Sequence, residues 1–206
     1  PLRVAVDEHE QYETLRRRAT SEGLDVTALL LTQDVDVPVI TVALAQDEWP
    51  RFALGTDADL NPGVAAVGAL EEALQNWMEL DSMGPEAAMD AQGAIGRYAK
   101  SPGEAADLTA AETAVPLDSL GPDVDLSGEA ELETLCDRAA DAGLAPYGTR
   151  LTTRDLEQLG FEAVRVVCPS AQPLFFGESF FGERAEAVPA DLGFEPRLDR
   201  DHHPFP

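Results

Sequence analysis

Lysine is almost missing from this chain. Of the 14 basic residues among 206, only Lys100 is a lysine, against 39 Asp and Glu and a net charge of −25 at pH 7. Binding bare nucleic acid requires clustered cations to replace the counterions of the phosphates, so this balance excludes it as a function class. The one basic run, Arg16-Arg17-Arg18, falls in a helical pattern and reads as a solvated face. An acidic surface almost without lysine is what keeps a protein hydrated in molar salt, so the expectation is a halophilic protein of a salty cytosol. Cysteine is scarce too, and the spacing of Cys136 and Cys168 matches no metal or redox motif. Both read as buried thiols in a reducing, cytoplasmic compartment. No run of 18 apolar residues is present to cross a membrane as a helix, and Leu2 to Val6 is too short for a signal peptide. Gly-x-Ser-x-Gly is also missing and His9 lies in a polar helical stretch, so nothing supports a serine hydrolase.

What is present begins with enough apolar residues, 44%, to bury a real core, in one large domain or two small ones. Residues 13–32 recur at an offset of 120: Glu13-Thr14-Leu15, Arg18-Ala19, Gly23-Leu24 and Leu31-Thr32 return as Glu133-Thr134-Leu135, Arg138-Ala139, Gly143-Leu144 and Leu151-Thr152. Each copy reads as an amphipathic helix, a glycine C-cap, a strand, and a Thr/Asp turn into a second strand. The second strands are Val37 to Val42 and Phe161 to Val167. Asn61-Pro62 pairs an N-cap with a proline at N1 and opens a helix to about Leu80. Gly84-Pro85 breaks the chain before a weaker helix over Glu86 to Tyr98, and the Pro/Gly/Asp-rich stretch from Ser101 to Gly128 reads as an acidic linker or long loop. The expected architecture is α/β: a mixed sheet covered by helices, built from the two helix-strand-strand units, with an extended Pro-rich C-terminal tail. The segments divide as 1–100, 101–128 and 129–206.

Chemistry concentrates at two places. On the helix from Pro62, Val64, Val67, Leu70, Leu74, Trp77 and Met78 form an apolar stripe expected to face the sheet. Glu72, Gln75 and Glu79 share another face, with Ala65 and Gly68 above them. Carboxylates beside a cleared backbone suit a hard cation such as Mg²⁺ bridging nucleotide phosphates, and a solvated acidic face is the alternative. The second place is the closing His202-His203-Pro204-Phe205-Pro206. Its prolines stiffen an extended rod that docks at little entropic cost, unless Phe205 simply packs on the core. Metal binding by His202 and His203 is disfavoured because neighbours in an extended rod point to opposite sides.

Three blocks of sequence resemble the YcaO-like enzymes, particularly the cyclodehydratases of thiazole/oxazole-modified peptides. Leu31-Thr32-Gln33-Asp34-Val35-Asp36-Val37-Pro38-Val39 is similar to the family's "lT-x-D-x-g-v-P-v" strand pair. Gly55 through Asn61-Pro62 and then Ala69-Leu70-Glu71-Glu72-Ala73-Leu74-Gln75 is similar to "G-x-G-a-x-l-d-p … r-A-L-x-E-a-x-Q-x-R". Leu151 to Asp155, Val164 to Pro169 and Gln172-Pro173-Leu174 are similar to "lT-x-x-D … v-v-R-v-x-v-P-g-l-q-P-l", and His202-x-Pro204-x-Pro206 resembles the family's Pro-x-Pro-x-Pro terminus.

The resemblance implies an enzyme using ATP and Mg²⁺ to activate a backbone amide of a peptide or protein substrate. A side-chain nucleophile or sulfide attacks the carbonyl, ATP phosphorylates the oxyanion, and loss of phosphate leaves an azoline or a thioamide. It places Glu72 and Gln75 at the Mg²⁺-nucleotide site, with Glu72 on the metal, Arg165 on the strand near it, and His202, Pro204 and Pro206 in the tail that supports turnover. Two family arginines are replaced, by Gly68 and Trp77. The family's upstream half, with the motif that completes the nucleotide site, is missing from these residues. The expectation is therefore the C-terminal half of such an enzyme, with the N-terminal half of the family domain as its partner. The alternative is a non-catalytic module that binds a peptide or protein.

Overall fold

The computed structural model describes residues 2–7, 9–31, 34–90, 109–111, 113–121, 125–173, 180–196 and 198–199. They fall into two compact units, one within 1–33 and 37–127, the other within 34–36 and 128–202.

The first unit carries a five-stranded mixed sheet in the order β4-β3-β2-β1-β5. Its strands are β1 (Leu2–Ala5), β2 (Asp25–Leu30), β3 (Val39–Ala45), β4 (Phe52–Ala58) and β5 (Ala114–Pro116). All neighbours are antiparallel except β1 and β5. β3, Val-Ile-Thr-Val-Ala-Leu-Ala, is nearly all apolar because both its faces are covered, and Ile40, Val42 and Leu44 are fully buried. Helix α1 (Glu10–Ser21) starts at His9, whose Nδ1 accepts the Tyr12 N–H at 3.4 Å, and it buries Tyr12 and Ala19. Its first turn carries Glu10 and Glu13 and its last Arg18, the charge order that suits the helix dipole.

Helix α2 (Pro62–Met83) packs across β3 and β4. Buried Asn61 opens it, its side-chain oxygen accepting from Gly63 N at 2.8 Å and Val64 N at 3.4 Å while its amide donates to Asp125 at 3.0 Å. The start agrees with the sequence, and the buried face agrees in part: Val67 and Leu70 are buried and Leu74 and Trp77 pack against the core. Val64 and Met78 are 41% and 64% exposed, while Ala65, Ala66, Ala69 and Ala73 are fully buried. Where the helix backbone lies closest to the sheet, at Ala69 and Ala73 beside Gly55, only small residues fit. Each Cβ removed lets two backbones approach, and a Cβ on Gly55 of β4 would stand 2.2 Å from Ala73 N and 2.3 Å from Ala69 O. Helix α3 (Pro85–Asp90) follows, and the rest of the expected helix, 91–98, lies outside the described residues. The stretch read as a linker supplies β5 and a 3₁₀ turn over Leu117–Leu120. A three-residue edge strand needs only its parallel partner β1, and leaves no periodicity to read.

The second unit holds α4 (Glu129–Asp141), β6 (Tyr147–Arg150), α5 (Arg154–Gln158), β7 (Val164–Val167) and α6 (Glu183–Asp191). The repeat is visible in the backbone. Gly23 and Gly143 both take the left-handed conformation, at φ 85° and 72°, and the next residue closes the same loop in each copy: Leu24 N to Ala19 O at 3.1 Å and Leu144 N to Ala139 O at 2.8 Å. The copies do not build one sheet, however: β6 and β7 form a two-stranded antiparallel sheet of their own. Nor are the thiols buried. Cys136 is exposed and Cys168 half-buried.

Candidate functional site

The helix face that carries Glu72 is built against the β4 edge of the sheet. Among the described residues β4 pairs with no strand but β3, so alternate backbone groups on its outer side need partners. Two side chains of α2, one turn apart, supply them. Asn76 donates to Leu54 O at 2.7 Å, and Glu72 accepts the Thr56 N–H through Oε2 at 2.5 Å. The close approach at Gly55, between those two bonds, makes both reachable. Glu72 is nevertheless exposed, and its Oε1 makes no hydrogen bond with a described residue. One carboxylate oxygen is pinned to the sheet.

Asp57, the next residue on β4, also reaches this face. A Cβ added to Gly68 would lie 1.8 Å from Asp57 Oδ2, so the carboxylate rests directly on the helix backbone one turn before Glu72. Its other oxygen accepts the Ala58 N–H at 2.8 Å. Sequence reasoning missed Asp57. Its one visible signal is a glycine in mid-helix, which costs about 1 kcal/mol relative to alanine and implies that something occupies the space.

Gln75 is exposed on the same stretch of α2 as Glu72. Trp77 is half-buried, and its indole nitrogen is buried without a hydrogen-bond partner among the described residues. Arg165 belongs to the second unit, on β7 opposite Thr149, and is exposed. His202, Pro204 and Pro206 lie outside the described residues. The structure thus brings Glu72 and Gln75 together and adds Asp57.

The donor set is chemically uniform. Glu72, Asp57 and Gln75 offer carboxylate and amide oxygens, the ligands a hard ion such as Mg²⁺ takes, and α2 has no Lys or Arg. Such a face fits part of a Mg²⁺ shell. Among the described residues no group of three His, Cys, Asp or Glu is arranged to hold a metal alone. A separate concavity at the start of α2, lined by Asp7, His9, Gly63 and Asp118, contains none of the sequence-predicted residues.

The electrostatics elsewhere are local. In the second unit Glu162 accepts from Arg150 and Thr152, which holds its carboxyl down at about 2. In the first, burial pushes the Tyr12 phenol up to about 12. Among the described residues no helix is long and apolar enough to cross a membrane.

Comparison with known proteins places these features. A heterocyclase solved with substrate and cofactor matches at 23% identity and TM-score 0.73, covering 100% of this chain and 28% of that one. The heterocyclase TruD matches at 24% identity and TM-score 0.72, over 100% and 29%. YcaO from Methanopyrus kandleri, solved with AMPPCP and Mg²⁺, matches at 25% identity and TM-score 0.62, over 84% and 45%. The chain therefore spans less than half the length of each of these structures. A search of curated proteins gives no match. The family model described as YcaO cyclodehydratase, ATP- and Mg²⁺-binding, covers residues 1–172, and the chain belongs to the YcaO family.

Proposed function

We propose that this chain supplies the α2 side of the nucleotide site of an ATP-dependent YcaO enzyme that activates backbone amides of a peptide or protein substrate, by azoline-forming cyclodehydration or by thioamidation. The observation that carries the proposal is Glu72: a carboxylate fixed through one oxygen to Thr56 N on a residue that remains exposed. A metal ligand held by a second hydrogen bond loses little freedom on binding. Glu72 would hold Mg²⁺ and Gln75 would contact it or the nucleotide. ATP supplies the phosphoryl group that turns a carbonyl oxygen into a leaving group. The residues described here complete only part of a coordination shell, so the isolated 206 residues should bind ATP-Mg²⁺ weakly or not at all.

The test is Glu72→Gln in the protein as expressed from its own gene. The amide keeps an acceptor for Thr56 N and removes the charge, so nucleotide affinity should fall about tenfold or more, equivalent to about 1.4 kcal/mol, with little change in melting temperature. Glu71→Gln is the control, since Glu71 accepts from Gln11 across to α1. Calorimetry showing unaltered nucleotide affinity in Glu72→Gln would remove Glu72 from the site.

A second reading, a non-catalytic module that binds a peptide or protein, draws on the uncharged Gly68 and Trp77 and on an α2 with no basic residue. Deletion of Pro204-Phe205-Pro206 separates the two. If His202, Pro204 and Pro206 belong to a stiff arm at the reaction centre, peptide-dependent ATP turnover collapses while melting temperature and nucleotide affinity hold. A fall in stability of about 3–5 kcal/mol would instead mark Phe205 as a buried plug.

A further inference from the structure

Thr41 interrupts β3, whose other residues are all apolar, and it is fully buried. Valine has nearly the same shape and no hydroxyl to desolvate, so packing alone would favour valine here. The Thr41 hydroxyl is bonded twice. It donates to Gly55 O at 2.8 Å and accepts from the hydroxyl of Thr56, its partner across the β3–β4 ladder, at 3.0 Å. The first of these bonds reaches the peptide group that holds Glu72: the carbonyl of the Gly55–Thr56 peptide takes the Thr41 hydroxyl, and the N–H of the same peptide goes to Glu72 Oε2 at 2.5 Å. A carbonyl that accepts a hydrogen bond strengthens the N–H at the other end of its peptide as a donor, so the chain from the Thr56 hydroxyl through Thr41 and Gly55 C=O to the Glu72 carboxylate runs in one direction and is cooperative. It also restrains that peptide where the sequence restrains it least. Position 55 has to be glycine, because α2 leaves no room for a Cβ, and glycine allows its neighbouring peptide planes the most freedom.

We propose that Thr41 is a positioning residue for Glu72. From inside the sheet it sets the plane and the donor strength of the N–H that holds the carboxylate, and the Thr56 hydroxyl in turn fixes the Thr41 side chain. Thr41 acts on a bound metal only through Glu72, because its hydroxyl is spent on Gly55 and Thr56. Its consequence for nucleotide rests on the reading of Glu72 as a Mg²⁺ ligand, whereas the hydrogen-bond chain itself does not. A threonine that merely satisfied its own hydroxyl would affect stability and leave Glu72 untouched.

Two readouts on the protein as expressed from its own gene test this, one of them without nucleotide. In Thr41→Val the Thr56 amide of the nucleotide-free protein, followed by hydrogen exchange with labelled threonine, should exchange about tenfold faster, and ATP-Mg²⁺ affinity by calorimetry should fall about tenfold. Thr41→Ser keeps a hydroxyl and should restore both values. Thr56→Val removes the outer hydroxyl, spares the core and should move both readouts the same way by less, so it carries the test if Thr41→Val fails to fold. In a Glu72→Gln background Thr41→Val should cost little further affinity, because both changes act through one ligand. Unchanged exchange at Thr56 would overturn the hydrogen-bond chain. Faster exchange with unaltered affinity, in a protein whose affinity Glu72→Gln still lowers, would overturn the positioning role, and so would additive losses in the double variant. Unaltered affinity in Glu72→Gln would instead remove the Mg²⁺ reading of Glu72, and the exchange at Thr56 would still decide whether Thr41 positions that carboxylate.

Discussion

Among the described glycines, Gly55→Ala should add the most damaging methyl. The new Cβ would stand 2.2 Å from Ala73 N, 2.3 Å from Ala69 O and 2.8 Å from Glu72 C, all backbone atoms of a long helix that no rotamer can move. Ordinary contact begins near 3.4 Å, so α2 must retreat from β4 by about 1 Å, a small-to-large change of the kind that costs about 1–3 kcal/mol or more. That retreat also stretches Glu72 to Thr56 N at 2.5 Å and Asn76 to Leu54 O at 2.7 Å. Each is worth about 1 kcal/mol net, somewhat more for the charged acceptor. The expected loss is about 3–5 kcal/mol, a large part of the 5–15 kcal/mol that holds an ordinary domain together. Chemical denaturation monitored on the first unit reads it, with Gly148→Ala as the control, because a Cβ there meets nothing. A Gly55→Ala variant within about 1 kcal/mol of wild type would refute the seam as described.

Two further predictions concern the same unit. In Gly68→Ala the helix gain of alanine, about 1 kcal/mol, is opposed by displacement of the Asp57 carboxylate, which the methyl meets at Oδ2, so the double variant Asp57→Ala/Gly68→Ala should be more stable than the sum of the two single changes, and simple additivity in a thermal melt would show that they do not share the space. Tyr12 makes alkaline stability measurable: burial raises its phenol from 10.0 to about 12, so its contribution is fully present below pH 10 and is lost as pH rises through 12. The stake is about 3 kcal/mol. Tyr12→Phe should flatten the stability profile between those values, and an unchanged alkaline slope would assign the loss to other groups.

Much of the fold is legible where one residue type has one physical use. Asn61-Pro62 announces the start of α2, and Gly23 and Gly143 announce the ends of α1 and α4, because a side-chain cap and a left-handed glycine serve those positions and few others. The buried face of α2 was harder to see. Hydrophobicity ranks Val64 and Met78 above the alanines, whereas packing selects Ala65, Ala69 and Ala73 because the neighbour is Gly55, some ten residues or more away in sequence. β5 is too short to carry a period, and its pairing with β1 spans more than a hundred residues. At the candidate site, Glu72 and Gln75 are legible through the family motif. Asp57 is not, because its relation to Gly68 exists only once β4 lies against α2.

The arrangement at Glu72 joins the support of the sheet edge to the proposed chemistry. A carboxylate meant to hold a cation gains from being immobile, and a helix surface exposed to solvent ordinarily leaves a glutamate free to rotate. Here the immobility comes from the sheet: the outer edge of β4 offers Thr56 N–H to one oxygen, and the absence of a side chain at Gly55 brings the helix within reach. The edge gains equally, since its open groups at Leu54 and Thr56 are met by α2 rather than left to pair with another chain. Removing the side chain entirely therefore confounds two effects, loss of a ligand and loss of an edge clamp, which act respectively on nucleotide affinity and on stability. Glu72→Gln separates them because the amide oxygen still accepts from Thr56. The ratio between the Gln and Ala variants, in affinity and in melting temperature, measures how far each role rests on the charge and how far on the hydrogen bond.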